Sequence, residues 1–280
     1  MIRFGAHVPT RGRLSRALDY AASVEAETIQ LFISNPRSWT PPNLDPAVAA
    51  EFRDRRAASG VGPVFVHSSY LINIASPDDG FLTRSAVLAR RELEAAAEIG
   101  AQGLIVHAGA GGGASRGGAV ERAAASVLAI AGEEDRGPEV VLELTAGGGE
   151  SVAATISQVS ALVDALGGDP RVGLCLDTCH LFAAGYPLDD PSGAGQPFDE
   201  LRERGLDGRL RVLHANDARD ARGSKRDRHA HVGTGQIGEP GFAAILADPL
   251  VRRLPILIET PGHEEEDRVN LATLRRLAAV

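Results

Sequence analysis

The chain has 280 residues, 44% hydrophobic and 24% charged, with 29 Lys and Arg against 37 Asp and Glu and a formal net charge of −8. This is the composition of a globular chain rather than a disordered or fibrous one, and its acidic balance excludes a protein that grips nucleic acid through a generally basic surface. No apolar run approaches the roughly 18 to 20 residues that span a bilayer, and the first twenty residues hold no signal-peptide core, so a cytoplasmic protein without membrane contact is expected.

Short apolar runs alternate along the chain with amphipathic Ala/Leu/Glu/Arg stretches. The runs cover residues 2–8, 28–33, 64–67, 103–107, 140–144, 172–177, 210–214 and 255–259. Helical stretches are predicted over 14–24, 47–58, 83–99, 119–131, 151–165, 198–204, 241–247 and 268–279, with starts at Asp45-Pro46 and at Ser151. Eight β-then-α units with no linker between them read as an α/β fold, one single-domain (β/α)8 TIM barrel over residues 1–280 whose site lies at the C-terminal mouth. Residues 183–197 and 218–240 are long connections, and 109–118 is a glycine-rich connector that lacks the lysine and spacing of a nucleotide loop. The only cysteines, Cys175 and Cys179, share one segment and read as buried reduced thiols.

What ends each run carries the chemistry. Six runs pass directly into His67, His107, Glu143, Asp177, His214 and Glu259, spaced 40, 36, 34, 37 and 45 residues apart, which is the β/α repeat itself. One strand-end histidine is usually a hydrogen-bonded core residue, and one carboxylate there usually caps a helix. Six on separate strands of a barrel converge on one mouth, where their mutual repulsion and desolvation call for cations. His180 follows Asp177 by one helical turn, and Asp227 and His229 alternate in a long loop, so the candidate donors number nine. Nine mixed imidazole and carboxylate donors suit two or three ions, zinc or manganese rather than a thiolate-bound metal. A site with several ions is suited to phosphodiester hydrolysis, because metals activate water and neutralise the leaving oxygen.

The segments Gly5-Ala6-His7-Val8, His67-Ser68-Ser69-Tyr70-Leu71-Ile72-Asn73, Leu142-Glu143-Leu144-Thr145, Asp177-Thr178-Cys179-His180, His214-Ala215-Asn216-Asp217, Asp227-Arg228-His229 and Glu259-Thr260-Pro261 appear in the order found in the endonuclease IV family, the zinc-dependent apurinic/apyrimidinic endonucleases, which the chain closely resembles from residue 2 to about 265. The resemblance implies three Zn2+ ions, with Mn2+ possible at one or more sites. His67, His107 and Glu143 would hold one; Glu143, Asp177, His214 and Glu259 a second; His180, Asp227 and His229 the third. It implies Glu143 and Glu259 as catalytic residues, Glu259 orienting the attacking hydroxide. The implied substrate is double-stranded DNA carrying an abasic or 3′-blocked lesion, cut 5′ to the abasic site to leave a 3′-hydroxyl. Arg37, Tyr70 and Leu71 match positions that enter the duplex stack, and His7 is a floor or phosphate-contact residue. The enzyme is expected to act as a monomer. The chain departs from the family pattern at Ala108, Leu144, Ala215 and Thr234, none of them a ligand position.

Two other readings are weighed against this one. A divalent-metal sugar isomerase or epimerase on a similar barrel needs about one ion and would leave His67, His180, Asp227 and His229 without a task. A lesion-binding protein without catalysis would not need an intact donor set.

Overall fold

The computed structural model describes residues 2–10, 13–113, 115–133 and 137–279. In chain order the elements are β1 (Arg3–His7), α1 (Arg16–Ser23), β2 (Thr28–Leu31), α2 (Pro46–Ser59), β3 (Val64–His67), α3 (Asp79–Glu98), β4 (Gly103–His107), α4 (Arg116–Ala131), β5 (Glu139–Glu143), α5 (Ile156–Ala165), β6 (Val172–Asp177), α6 (Thr178–Ala184), α7 (Gln196–Glu203), β7 (Leu210–His214), β8 (Asp217–Ala218), β9 (His229–Ala230), α8 (Gly238–Ala247), β10 (Pro255–Ile258) and α9 (Glu264–Ala278). Eight strands are parallel and close in the order β1-β10-β7-β6-β5-β4-β3-β2, which is a TIM barrel; β8 and β9 form a separate antiparallel pair above it. No helix among the described residues is long and apolar enough to cross a membrane.

The strands are continuous apolar runs because both of their faces are covered, by the barrel interior on one side and by helices on the other. The interior layer consists of Phe65, Ile105, Val141, Cys175, Val212 and Leu257. Where β1 meets β2 the chains lie so close that a Cβ on Gly5 would stand 1.6 Å from the Thr28 carbonyl oxygen, so only glycine fits.

Helices α2 to α6 each start at a side-chain cap. Asp45 accepts from the Ala47 amide at 2.8 Å, as its position before Pro46 predicts. The start expected at Ser151 is corrected: Thr155 caps the helix by accepting from the Gln158 amide, and α5 begins at Ile156. Two elements escape the sequence pattern. Helix α6 has only seven residues, started by Asp177 accepting from the amides of Cys179 and His180 at 2.6 and 3.1 Å. The β8/β9 pair joins residues from distant points of a long loop, Asp217 with Ala230 and Ala218 with His229. The glycine-rich connector is held in place by Asn73, whose side chain accepts from the Ala110 amide and donates to the Ala110 carbonyl, both at 3.0 Å; Ala114 lies outside the described residues.

Candidate metal centre

Side chains alternate along a strand, so the residue two beyond an inward-facing one also faces inward. Two residues above the interior layer of Phe65, Ile105, Val141, Cys175, Val212 and Leu257 stand His67, His107, Glu143, Asp177, His214 and Glu259. On β1 and β2 the same step places His7 above Gly5 and Gln30 above Thr28, residues that pair as neighbours across the two strands. Every barrel strand thus contributes one polar side chain, at or just beyond its end, to a single upper layer; His7, His67, His107 and Glu259 of that layer line a cavity of about 1020 Å³, while Gln30, Glu143, Asp177 and His214 are fully buried.

The nine candidate donors fall into three sets. His67, His107 and Glu143 offer donor atoms within 4.8 Å of one another, as do Glu143, Asp177, His214 and Glu259, and as do His180, Asp227 and His229. Glu143 belongs to two sets: Oε2 lies 3.2 Å from His67 Nε2 and 3.3 Å from His107 Nε2, while Oε1 lies 3.1 Å from His214 Nδ1. In the third set Asp227 stands between two rings, Oδ2 3.2 Å from His180 Nε2 and Oδ1 3.0 Å from His229 Nε2.

Three of the rings are turned by the nitrogen that faces away from the site. Nδ1 of His67, His180 and His229 donates to the carbonyls of Ser68 (2.8 Å), Leu144 (2.8 Å) and Glu259 (3.0 Å), which leaves each Nε2 lone pair facing the site. Nε2 of both His180 and His229 is buried, and with the ring proton on Nδ1 it faces an Asp227 oxygen that has no proton to give, so it goes without a hydrogen bond. Leaving two buried nitrogens unsatisfied costs about 1–3 kcal/mol apiece, and a cation held jointly with Asp227 removes that cost. The residues present therefore fit metal ions.

Charge balance points the same way. Burial alone would raise the Glu143 carboxyl, but His214 and His107 hold it well below the carboxylate range. Burial opposes charging of His229, yet Asp177, Asp227 and Glu259 lift it to about 9. Burial likewise opposes His180, and Asp177 and Asp227 raise it well above the usual imidazole value. Four carboxylates gathered here draw positive charge from whatever source is at hand.

Gln30 and Asn216 are site residues that the sequence pattern did not reveal; both are fully buried. The Glu259 carboxylate accepts at 2.5 Å from Gln30, which makes the facing atom Nε2. The same NH2 group lies 2.8 Å from His7 Nδ1, so that nitrogen accepts and His7 carries its proton on Nε2. Burial also lowers the His7 pKa, so the ring is a neutral donor. The Gln30 oxygen accepts from His214 Nε2 at 2.9 Å, leaving His214 Nδ1 toward Glu143. Asn216 donates to Asp177 Oδ2 at 2.6 Å and accepts from the Glu259 amide at 2.7 Å. Period-two counting on β2 is the signal that finds Gln30.

Asp217, also fully buried, accepts from the amides of Gly233, Gly235 and Gly238 at 3.0, 2.9 and 3.2 Å and so shapes the loop after β9. Arg37 and Tyr70 line the cavity, and Tyr70 is 60% exposed at its lip, with Phe32 edge-on beneath it at 5.1 Å. Leu71 is half-buried beside Tyr70. Ala108, Leu144 and Ala215 are buried in the core, and Leu144 serves the site through its carbonyl, which explains why a change of side chain there leaves the donor set whole. Thr234 is exposed. Of the remaining histidines, His231 is half-buried with Nδ1 3.1 Å from the Asn270 amide nitrogen, and His263 caps α9.

A closed parallel barrel with an upper layer of imidazoles and carboxylates defines a barrel built to bind metal, and a family model described as a xylose isomerase-like TIM barrel matches residues 18–279. Within that class the similarities are specific. The probable endonuclease 4 of Methanoculleus marisnigri is 41% identical over 99% of each chain. The crystal structure of endonuclease IV from Thermus thermophilus superposes with a TM-score of 0.87 at 33% identity, covering 99% of both chains. This chain belongs to the endonuclease IV family. A D-tagatose 3-epimerase-like protein has the same barrel at a TM-score of 0.77 but 16% identity, a likeness of fold alone.

Proposed function

We propose that this protein is a metal-dependent endonuclease of base-excision repair that hydrolyses the phosphodiester 5′ to an abasic site in duplex DNA, leaves a 3′-hydroxyl, and trims blocked 3′ ends. The observation that carries the reading is three donor sets at the foot of one cavity whose lip bears an exposed tyrosine and an arginine. Membership in the endonuclease IV family supports it.

The residues would hold three Zn2+, with Mn2+ admissible at one or more sites: His67, His107 and Glu143 would hold one, Glu143, Asp177, His214 and Glu259 a second, and His180, Asp227 and His229 the third. When bound, such ions supply the Lewis acidity that activates water and neutralises charge on the phosphate. The chain's own residues do the rest. Glu259, fixed by Gln30 and Asn216, orients the attacking water. His7, with its proton on Nε2, donates to the phosphate. Arg37, Tyr70 and Leu71 enter the duplex at the lesion and hold the extruded sugar, which forfeits little stacking because it has no base.

The deciding experiment is nicking of a duplex containing a tetrahydrofuran abasic analogue, with metal counted on the same preparation. Incision with three ions per chain is expected. One ion per chain together with turnover of a ketose would favour the sugar isomerase or epimerase, and tight lesion binding without cleavage at any metal loading would favour a sensor.

Cleavage by hydrolysis rather than β-elimination yields a second expectation. A lyase needs an amine to form a Schiff base with the abasic aldehyde. Lys225 is the only lysine, is exposed, and sits on a loop outside the cavity lining. Lys225→Ala should retain nicking within about twofold, the scatter of surface substitutions, and borohydride should trap no protein–DNA adduct. Efficient trapping would refute the hydrolytic assignment.

A further inference from the structure

Helix α3 runs behind both segments assigned above to the duplex, and one buried carboxylate on it holds both. Glu92 is 1% exposed and lies on the stripe formed by Ser85, Leu88, Ala89, Leu93 and Ala96, where burying a carboxylate is costly unless it is hydrogen-bonded. Its partners are loop atoms. Oε1 accepts from the Ser34 hydroxyl at 2.9 Å, and Oε2 accepts from the Ser69 amide at 3.1 Å. Burial pushes the carboxyl up to about 7, opposed by these two bonds.

Ser34 begins the segment that reaches Arg37, and Ser69 directly precedes Tyr70 and Leu71. Above Glu92 the two segments are joined again, because the Pro36 carbonyl accepts from the Ser69 hydroxyl at 2.8 Å and from the Tyr70 amide at 3.1 Å. The same helix makes three more attachments. Ser85 accepts from the Asn73 amide at 3.2 Å, the Arg84 guanidinium stands 4.4 Å from the Trp39 ring centroid, and Phe81 meets Trp39 edge-on at 5.1 Å.

We propose that Glu92 is a positioning residue for DNA recognition, locking the 34–37 and 69–71 segments to helix α3 as one rigid wedge. A wedge ordered in advance spares the entropy that two free loops would lose on binding. The inference rests on the assignment of Arg37, Tyr70 and Leu71 to the duplex. Glu92 itself touches neither DNA nor the donor sets.

Three variants of the metal-loaded full chain test it. Glu92→Leu keeps most of the buried volume and removes both hydrogen bonds. It should raise KM for the abasic duplex about tenfold, toward the low end of what two lost hydrogen bonds contribute, with kcat within about twofold and metal content unchanged. Glu92→Gln should restore KM, because its oxygen still accepts from the Ser69 amide while its NH2 donates to the Ser34 oxygen. If Glu92→Leu fails to fold, Ser34→Ala loosens the same clamp from the loop side and should raise KM in the same direction.

Trp39 is the single tryptophan and lies two residues beyond the clamped 34–37 segment, so acrylamide quenching of its fluorescence reads mobility of that loop without DNA. Quenching should rise in Glu92→Leu and return in Glu92→Gln. Unchanged KM and quenching in a folded Glu92→Leu, or a fall in kcat with KM intact, would overturn the proposal. Wild-type protein that bound intact and abasic duplex equally would instead sink the DNA assignment, while the quenching series would still report on the clamp.

Discussion

Glu259→Gln is expected to lower the rate of abasic-site incision by about three orders of magnitude or more, the loss seen when a group that acts on developing charge in the transition state is removed. The carboxylate is held from several sides: Oε1 accepts from Gln30 at 2.5 Å, Oε2 lies 3.3 Å from His214 Nδ1, and the backbone amide is tied to Asn216 at 2.7 Å. Burial would raise its carboxyl, but the charge of His214 holds it well below the usual range. The glutamine side chain has the same shape, loses the charge, and meets the Gln30 NH2 group with one acceptor in place of two. Single-turnover nicking with metal content measured in parallel separates loss of chemistry from loss of an ion; near-normal turnover at full metal content would refute the role.

Strong chelation is expected to abolish nicking and to weaken binding of abasic duplex at least about tenfold, with both restored by zinc. Glu143, Asp177, Asp227 and Glu259 crowd the foot of the cavity, and a phosphate approaching them uncompensated meets like charge. Three divalent ions add six positive charges to the formal −8 and bring the chain to about −2, with the change concentrated where the backbone docks. Each neutralised phosphate contact also releases counterions, so the chelated and reloaded forms should differ in the salt dependence of binding. Equal affinity of both forms by fluorescence anisotropy would show that binding is carried elsewhere, by arginines at the rim.

The barrel was legible in the sequence because strands covered on both faces read as continuous apolar runs, and His67, His107, Glu143, Asp177, His214 and Glu259 interrupt those runs at their ends with residues that have no place in a core. Gln30 interrupts its run in the same way but is uncharged and common on surfaces, so it stood out only when counted in step with Thr28. Glu92 was hidden for the opposite reason, since a glutamate in an Ala/Leu/Arg helix is expected on the solvent face and only tertiary packing turns it inward. Helix α6 was missed because it is too short to show periodicity, and β8/β9 because pairing of two-residue strands depends on Asp217 gathering distant amides rather than on local propensity.

The two-residue step between the apolar layer and the donors also governs which kinds of sequence change the barrel can absorb. Below the donors, an exchange such as Val141 for another aliphatic residue alters packing and leaves every donor aimed as before. A change of length is different. Deleting Val106 or Leu142 would move His107 or Glu143 onto the alternate position of its strand, turning the donor toward the helices and carrying a core side chain into the cavity. Among descendants of this chain, insertions and deletions should therefore collect in the connections after the strands and be absent between floor and donor.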